Sequence, residues 1–278
     1  MNQTVHQHLA DSCNRLLGVA IGALVAPINP AAPAGVSLRG NRVYQIIIAA
    51  RRSDDHTLPM GPWQRESTRA DWDKVSYVAV EALWHKAKDL QVAAWLLEAQ
   101  IHKNGFAAIG ASLHVIQQLC QHYWEDLYPT LDDDGLERRA NIFHWIDEKI
   151  PPALRQVPLV CVTPGPRYGY ADWERARRQE QMRLSPEDQD GITDVALAKA
   201  TGATPTAFYV ALDCDLDAAL AALDELTATL APHFDDHAPP LSKLRAALQQ
   251  IRMLVGSELH VRGVRSSAAA EREDTRAP

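Results

Sequence analysis

The chain has 278 residues, 46% hydrophobic and 23% charged, enough apolar material for a core in one large domain or two modest ones. Its formal net charge is −7. That argues against nucleic acid as the main partner, because phosphate binding needs a clustered positive field. The basic spots Arg51-Arg52 and Arg175, Arg177 and Arg178 are local only.

The pattern along the chain predicts helices. The run "LLGVAIGALVAP" (16–27) reads as a buried helix ending near Ala26, stopped by Pro27 and Pro30. It is too short to span a bilayer and lacks the flanks of a secretory signal. "NPAAPAG" is an extended linker, and "LRGNRVYQIIIAARR" is a second helix. "SDDHTLPMGPWQREST" is a long polar loop, and Trp63 in it, beside Arg65, is a candidate partner-binding anchor. Asp71 caps the next helix, whose buried face carries Trp72, Val75, Val78, Ala79, Ala82 and Leu83. Trp84, Trp95 and Trp145, like Trp72, are expected in the core.

Asp89 is placed to cap "LQVAAWLLEAQIHK", with Leu90, Ala93, Leu97 and Ile101 as its buried stripe. Asn104-Gly105 ends that helix, the glycine supplying a left-handed conformation. The chain then reverses into a helix with Phe106, Ile109, Leu113, Ile116, Cys120 and Tyr123 on one face, an antiparallel helical hairpin. Another helix starts near Leu136 and stops at Pro151-Pro152. "VPLVCV" (157–162) is the one strand-like piece, and Pro158 weakens it. Ser185, Pro186 and Asp188 form a helix start. Thr204-Pro205 opens a long helix with a leucine stripe from Phe208 to Leu230, stopped by Pro232. "LSKLRAALQQIRMLV" returns to make a second hairpin. From Arg262 to Pro278 the chain is too polar to offset its ordering entropy, and disorder is expected.

The common signatures of nucleotide binding, hydrolase and zincin chemistry are absent. Four cysteines lie far apart with no C-x-x-C pair, which reads as free thiols. Three acid–histidine pairs occur at i,i+4: Glu81/His85, Glu98/His102 and His122/Asp126. A helix puts each pair on one face, where it serves either as a metal half-site or as a weak surface ion pair. The ion-pair reading is preferred, so no metal or cofactor is expected. "TLDDDGLERRAN" resembles a calcium loop, but Thr130 and Asn141 fall where ligands are required. His233 and His237 read as a solvated loop.

The ordered set of Pro33/Gly35, Lys88-Asp89-Leu90, Asn104-Gly105, Tyr123-Trp124-Glu125 with Pro129, and Arg155 with Pro158-Leu159 resembles the ImpA N-terminal domain of TssA-like type VI secretion proteins. Val36-Ser37 departs from the acidic residue usual after the P-x-G segment. The resemblance covers 24–160. It implies a non-enzymatic assembly component in the bacterial cytoplasm, at the membrane-anchored base of the apparatus, contacting baseplate, tail-tube or sheath proteins. It also implies a further C-terminal region that builds large rings, so this chain alone is expected to be a monomer or dimer. The alternatives are a helical enzyme or metal-binding protein using the histidine–carboxylate pairs, or a generic helical adaptor. The expected fold is all-α, made of packed antiparallel hairpins. A family-like domain spans 16–160, a hairpin extension packing on it spans 168–257, and a tail spans 262–278.

Overall fold

The structure, a computed structural model, describes residues 3–53, 69–132, 134–162, 164–182, 192–234 and 239–264. Those residues are all-α, with isolated backbone bridges but no strand among them. The order is α1 (Gln3–Leu17), α2 (Ile21–Val25), α3 (Arg42–Ala50), α4 (Trp72–His85), α5 (Leu90–Asn104), a 3₁₀ turn (Gly105–Ala108), α6 (Ile109–Tyr123) and α7 (Gly135–Leu154). Then come α8 (Tyr170–Gln181), α9 (Asp194–Ala203), α10 (Thr206–Phe234) and α11 (Ser242–Val261).

The hairpin of α5 and α6 is the centre. Helix α4 packs on α5, α10 packs on α6, and α11 joins α10 to α7, which also touches α5. The sequence predicts one buried stripe on α5, but ten of its fifteen residues are buried. Neighbours on three sides leave it almost no wet face, as happens for a helix apolar nearly all round. Apolar burial is continuous from Leu9 on α1 to Leu259 on α11. The stripe Leu212, Leu216, Leu220, Leu223, Leu226 and Leu230 of α10 is buried as its spacing predicts.

Several element ends differ from expectation. The apolar run 16–27 is not one helix, because Gly18 adopts φ +71° and separates α1 from α2. Pro151 and Pro152 lie inside the last turn of α7, and Pro232 inside that of α10. Each proline accepts helical φ but removes one N–H donor of the last turn, so the helix continues for only two or three residues after it. After α5, Gly105 has φ +63° and ψ −139°. That is not the left-handed helical region but one open essentially to glycine alone, and a 3₁₀ turn follows. The start at Ser185, Pro186 and Asp188 lies outside the described residues. The described helix begins later, where Thr193 Oγ1 accepts from the Ala196 amide at 3.2 Å. Of the stretch 262–278 expected to be disordered, the first residues are placed: Arg262 donates to the carbonyls of Thr204 at 2.8 Å and Thr201 at 2.6 Å, and Val264 packs on the core; 265–278 lie outside the described residues.

The tryptophans divide. Trp95 is buried, and Trp72 and Trp145 are half-buried against the core. Trp84 is 37% exposed, contrary to expectation. It follows buried Leu83 directly, about 100° further round α4, past the edge of the covered face, and stacks on His85 at 4.3 Å. Cys13 and Cys120 are buried, Cys161 and Cys214 exposed, and all four are free.

Candidate functional site

The segment Lys88-Asp89-Leu90 enters α5 at the meeting point of three chain stretches. Its backbone is tied on both sides. The Lys88 amide donates to the Ala34 carbonyl at 2.8 Å, the Leu90 amide to Tyr128 at 2.8 Å, and the Tyr128 amide to Lys88 at 3.0 Å. Gly35 makes this approach possible. Its φ is +79°, and a Cβ there would lie 2.0 Å from the Lys86 carbonyl oxygen. The P-x-G segment, the start of α5 and the stretch after α6 thus meet in one junction.

Side chains finish it. Lys88 is fully buried. Its ammonium donates to the carbonyls of Leu24 at 2.6 Å and Leu83 at 2.9 Å, and lies 5.9 Å from the Tyr123 ring centre. Burial pulls its pKa down to about 8. Asp89 caps α5, accepting from the Val92 amide at 3.1 Å. The Tyr44 hydroxyl also donates to its carboxylate oxygens at 2.8 and 2.9 Å. Burial pushes the Asp89 pKa up to about 6, against the stabilising pull of the Tyr44 and backbone bonds. Tyr123 donates to the Val25 carbonyl at 2.6 Å.

Arg139, on α7, was not singled out from the sequence and is the largest fully buried side chain. It donates to the carbonyls of Pro129 at 2.8 Å, Trp124 at 2.5 Å and Leu127, so one guanidinium gathers the whole turn after α6. It also lies 4.6 Å from the Trp124 ring centre. Burial lowers its pKa to about 10. A signal existed: Arg139 falls on the stripe of Phe143, Ile146 and Ile150, where a charge needs a buried partner.

Beside this junction a cleft of about 490 Å³ opens between Ser37–Arg39, the start of α5 and α7. Tyr44, Asp89, Tyr128 and Trp145 are among its lining. Arg51 stands near Trp145 and Trp95, 5.2 and 5.3 Å from their ring centres, and its Nε donates to Glu98 at 2.5 Å.

The remaining motif residues lie at the other end of α5. A Cβ on Gly105 would come within 2.9 Å of Val157, and Pro158 borders the same recess. Arg155 donates to Glu174 at 2.5 Å and Gln250 at 3.0 Å, linking α7 to α8 and α11. Trp63 and Arg65 lie outside the described residues.

The acid–histidine pairs are used otherwise than as half-sites. Glu98 is taken by Arg51. His102 stacks on Trp72 at 4.1 Å, and burial lowers its pKa. His122 Nδ1 lies 2.9 Å from the Gln118 carbonyl. Among the described residues no group of three or more His, Cys, Asp or Glu is placed to hold a metal. His233, expected in a loop, belongs to α10 and stacks on Trp124 at 4.1 Å; His237 lies outside the described residues.

The class the fold and junction define is an all-α helical-hairpin domain whose entry is locked by a buried lysine, aspartate and arginine. Residues 25–148 match the family described as "ImpA, N-terminal, type VI secretion system". The chain is 27% identical, with a TM-score of 0.78, to the solved N-terminal domain, including the conserved ImpA_N region, of the TssA component of the type VI secretion system from Burkholderia cenocepacia. That likeness covers 88% of this chain and 95% of the other. It is also 29% identical over 197 residues to the type VI secretion system component TssA1 of Pseudomonas aeruginosa, a match spanning 66% of this chain and 55% of the relative. The chain thus spans about half the length of that relative. Together these likenesses support a TssA-like type VI secretion protein, similar over residues 25–148 to the ImpA N-terminal domain. Among the described residues no helix is long and apolar enough to cross a membrane.

Proposed function

We propose that the chain is a non-enzymatic assembly component of the secretion apparatus, working by contacts with baseplate, tail-tube or sheath proteins. The observation that supports this best is how the junction's ionisable groups are occupied. Lys88, Tyr123 and Arg139 hold backbone carbonyls, and Asp89 holds a helix start. Groups so bound brace chain segments and have no reacting atom to serve. The proposed location is the cytoplasmic side of the membrane-anchored base, with Trp63 and Arg65 as partner anchors. This chain alone is a monomer or dimer, since its apolar helix faces cover one another.

Pull-down with separately purified tube, sheath and baseplate proteins of the same cell tests the partner reading. At least one is expected to bind, and more weakly after Trp63→Ala. Binding by none of them, or a stoichiometric metal in the purified chain, would favour the metal or enzyme reading. Light scattering after size exclusion tests the oligomer, and a ring of ten or more copies would overturn that part.

A further inference from the structure

We propose that the cleft beside Asp89 accepts a basic side chain, arginine or lysine, presented by a partner protein. The rings of Tyr44, Tyr128 and Trp145 contribute to its lining, together with Asp89. Asp89 is 2% exposed. Its bonds come from neutral groups, the Tyr44 hydroxyl and the Val92 and Gln91 amides. None of the ion pairs among the described residues involves it. The neighbouring ammonium of Lys88 is directed instead to two carbonyls. The other carboxylate of the cleft, Asp132, is paired with Arg138.

A buried carboxylate is ordinarily matched by a cation, and aromatic faces attract cations. A basic side chain answers both needs: its alkyl stem lies along the rings while its head reaches the carboxylate. A planar guanidinium lies on an aromatic face better than an ammonium does, as Arg51 does over one face of Trp145. Arg39 lines the same cleft and is exposed, so it opposes entry of a second cation. The proposal goes beyond the assembly reading, and a test with a small probe fails or succeeds independently of which machine component binds.

The probe is Nα-acetyl-arginine methylamide, with its neutral citrulline counterpart as control. Each is titrated into the full ¹⁵N-labelled chain, and the Trp145 indole resonance is identified through Trp145→Phe. The expected result is a saturable shift with the arginine probe, at least tenfold weaker with citrulline. Asp89→Asn keeps an acceptor for the cap but removes the charge, and should weaken binding at least fivefold. Asn141→Lys places a competing cation on the exposed side of the cleft. It should do the same even if Asp89→Asn fails to fold. Arg39→Gln should tighten binding. Shifts that do not saturate, equal binding of citrulline, or undiminished binding by folded Asn141→Lys would overturn the proposal. Loss of binding in Arg39→Gln would overturn it too, because Arg39 would then be the receptor.

Discussion

At the scale of single residues, the junction makes charge and backbone depend on each other. Arg139→Met keeps bulk but leaves the carbonyls of Trp124, Leu127 and Pro129 without their donor. A loss of about 3 kcal/mol or more is expected in urea unfolding, because buried acceptors are left unpaired. Gly35→Ala should cost at least about 2 kcal/mol, since positive φ is combined with a backbone oxygen that cannot step aside. Gly105→Ala meets only the tip of Val157 and should cost less. Asp89 predicts a pH dependence. Its folded pKa, about 6, lies above the ordinary aspartate value near 3.9. It therefore contributes stability that is fully present below about pH 4 and is lost as pH rises through about 6. The difference between wild type and Asp89→Asn should change by on the order of 3 kcal/mol across that window. Urea midpoints from pH 4 to 7.5 check this, and a flat difference would refute it. Lys88 works in the opposite sense, adding stability as pH climbs from about 8 towards the ordinary lysine value. The Asp89 cap was legible in the sequence because capping is local. For Arg139 the stripe shows only that a buried partner is needed; the partners were not legible, because the carbonyls it holds lie 10 to 15 residues away and no spacing rule reports them.

At the scale of elements, helix existence was legible and helix ends were less so. The 3.6-residue period locates α4, α5, α6, α10 and α11 with little ambiguity. Whether a proline ends a helix depends on which turn it occupies, and the sequence alone does not say how far the last turn persists. Trp84 shows a related limit: it fits a helical pattern, but which arc of α4 is covered is decided by where α3 and α5 pack. Helix α10 supports a sharper prediction, because it is the main neighbour of α6 as well as of α11. Leu223 is fully buried. Leu223→Ala should cost about 2–5 kcal/mol, and amide exchange in α6 should accelerate together with that in α10. Acceleration confined to α10 and α11 would mean that the last hairpin opens separately.

At the scale of the whole molecule, the stretch that matches the family, residues 25–148, begins after α1 and ends within α7. Yet Leu9 and Cys13 of α1 are buried, and Gly110 of α6 lies so close to Ala218 of α10 that a Cβ there would come within 3.1 Å of its backbone. Cut to 25–148, the chain would bare the side of α6 that meets α10, where Gly110 and Gln117 are buried and Gln117 bonds Thr229 at 3.1 Å. That fragment is expected to aggregate or to melt broadly, as followed by circular dichroism and light scattering; a sharp transition like that of the full chain would contradict this. The close seating of Gly110 therefore separates two kinds of unit. A stretch can be recognisable by itself and still not be a body that water tolerates, because helices outside it wall in its core.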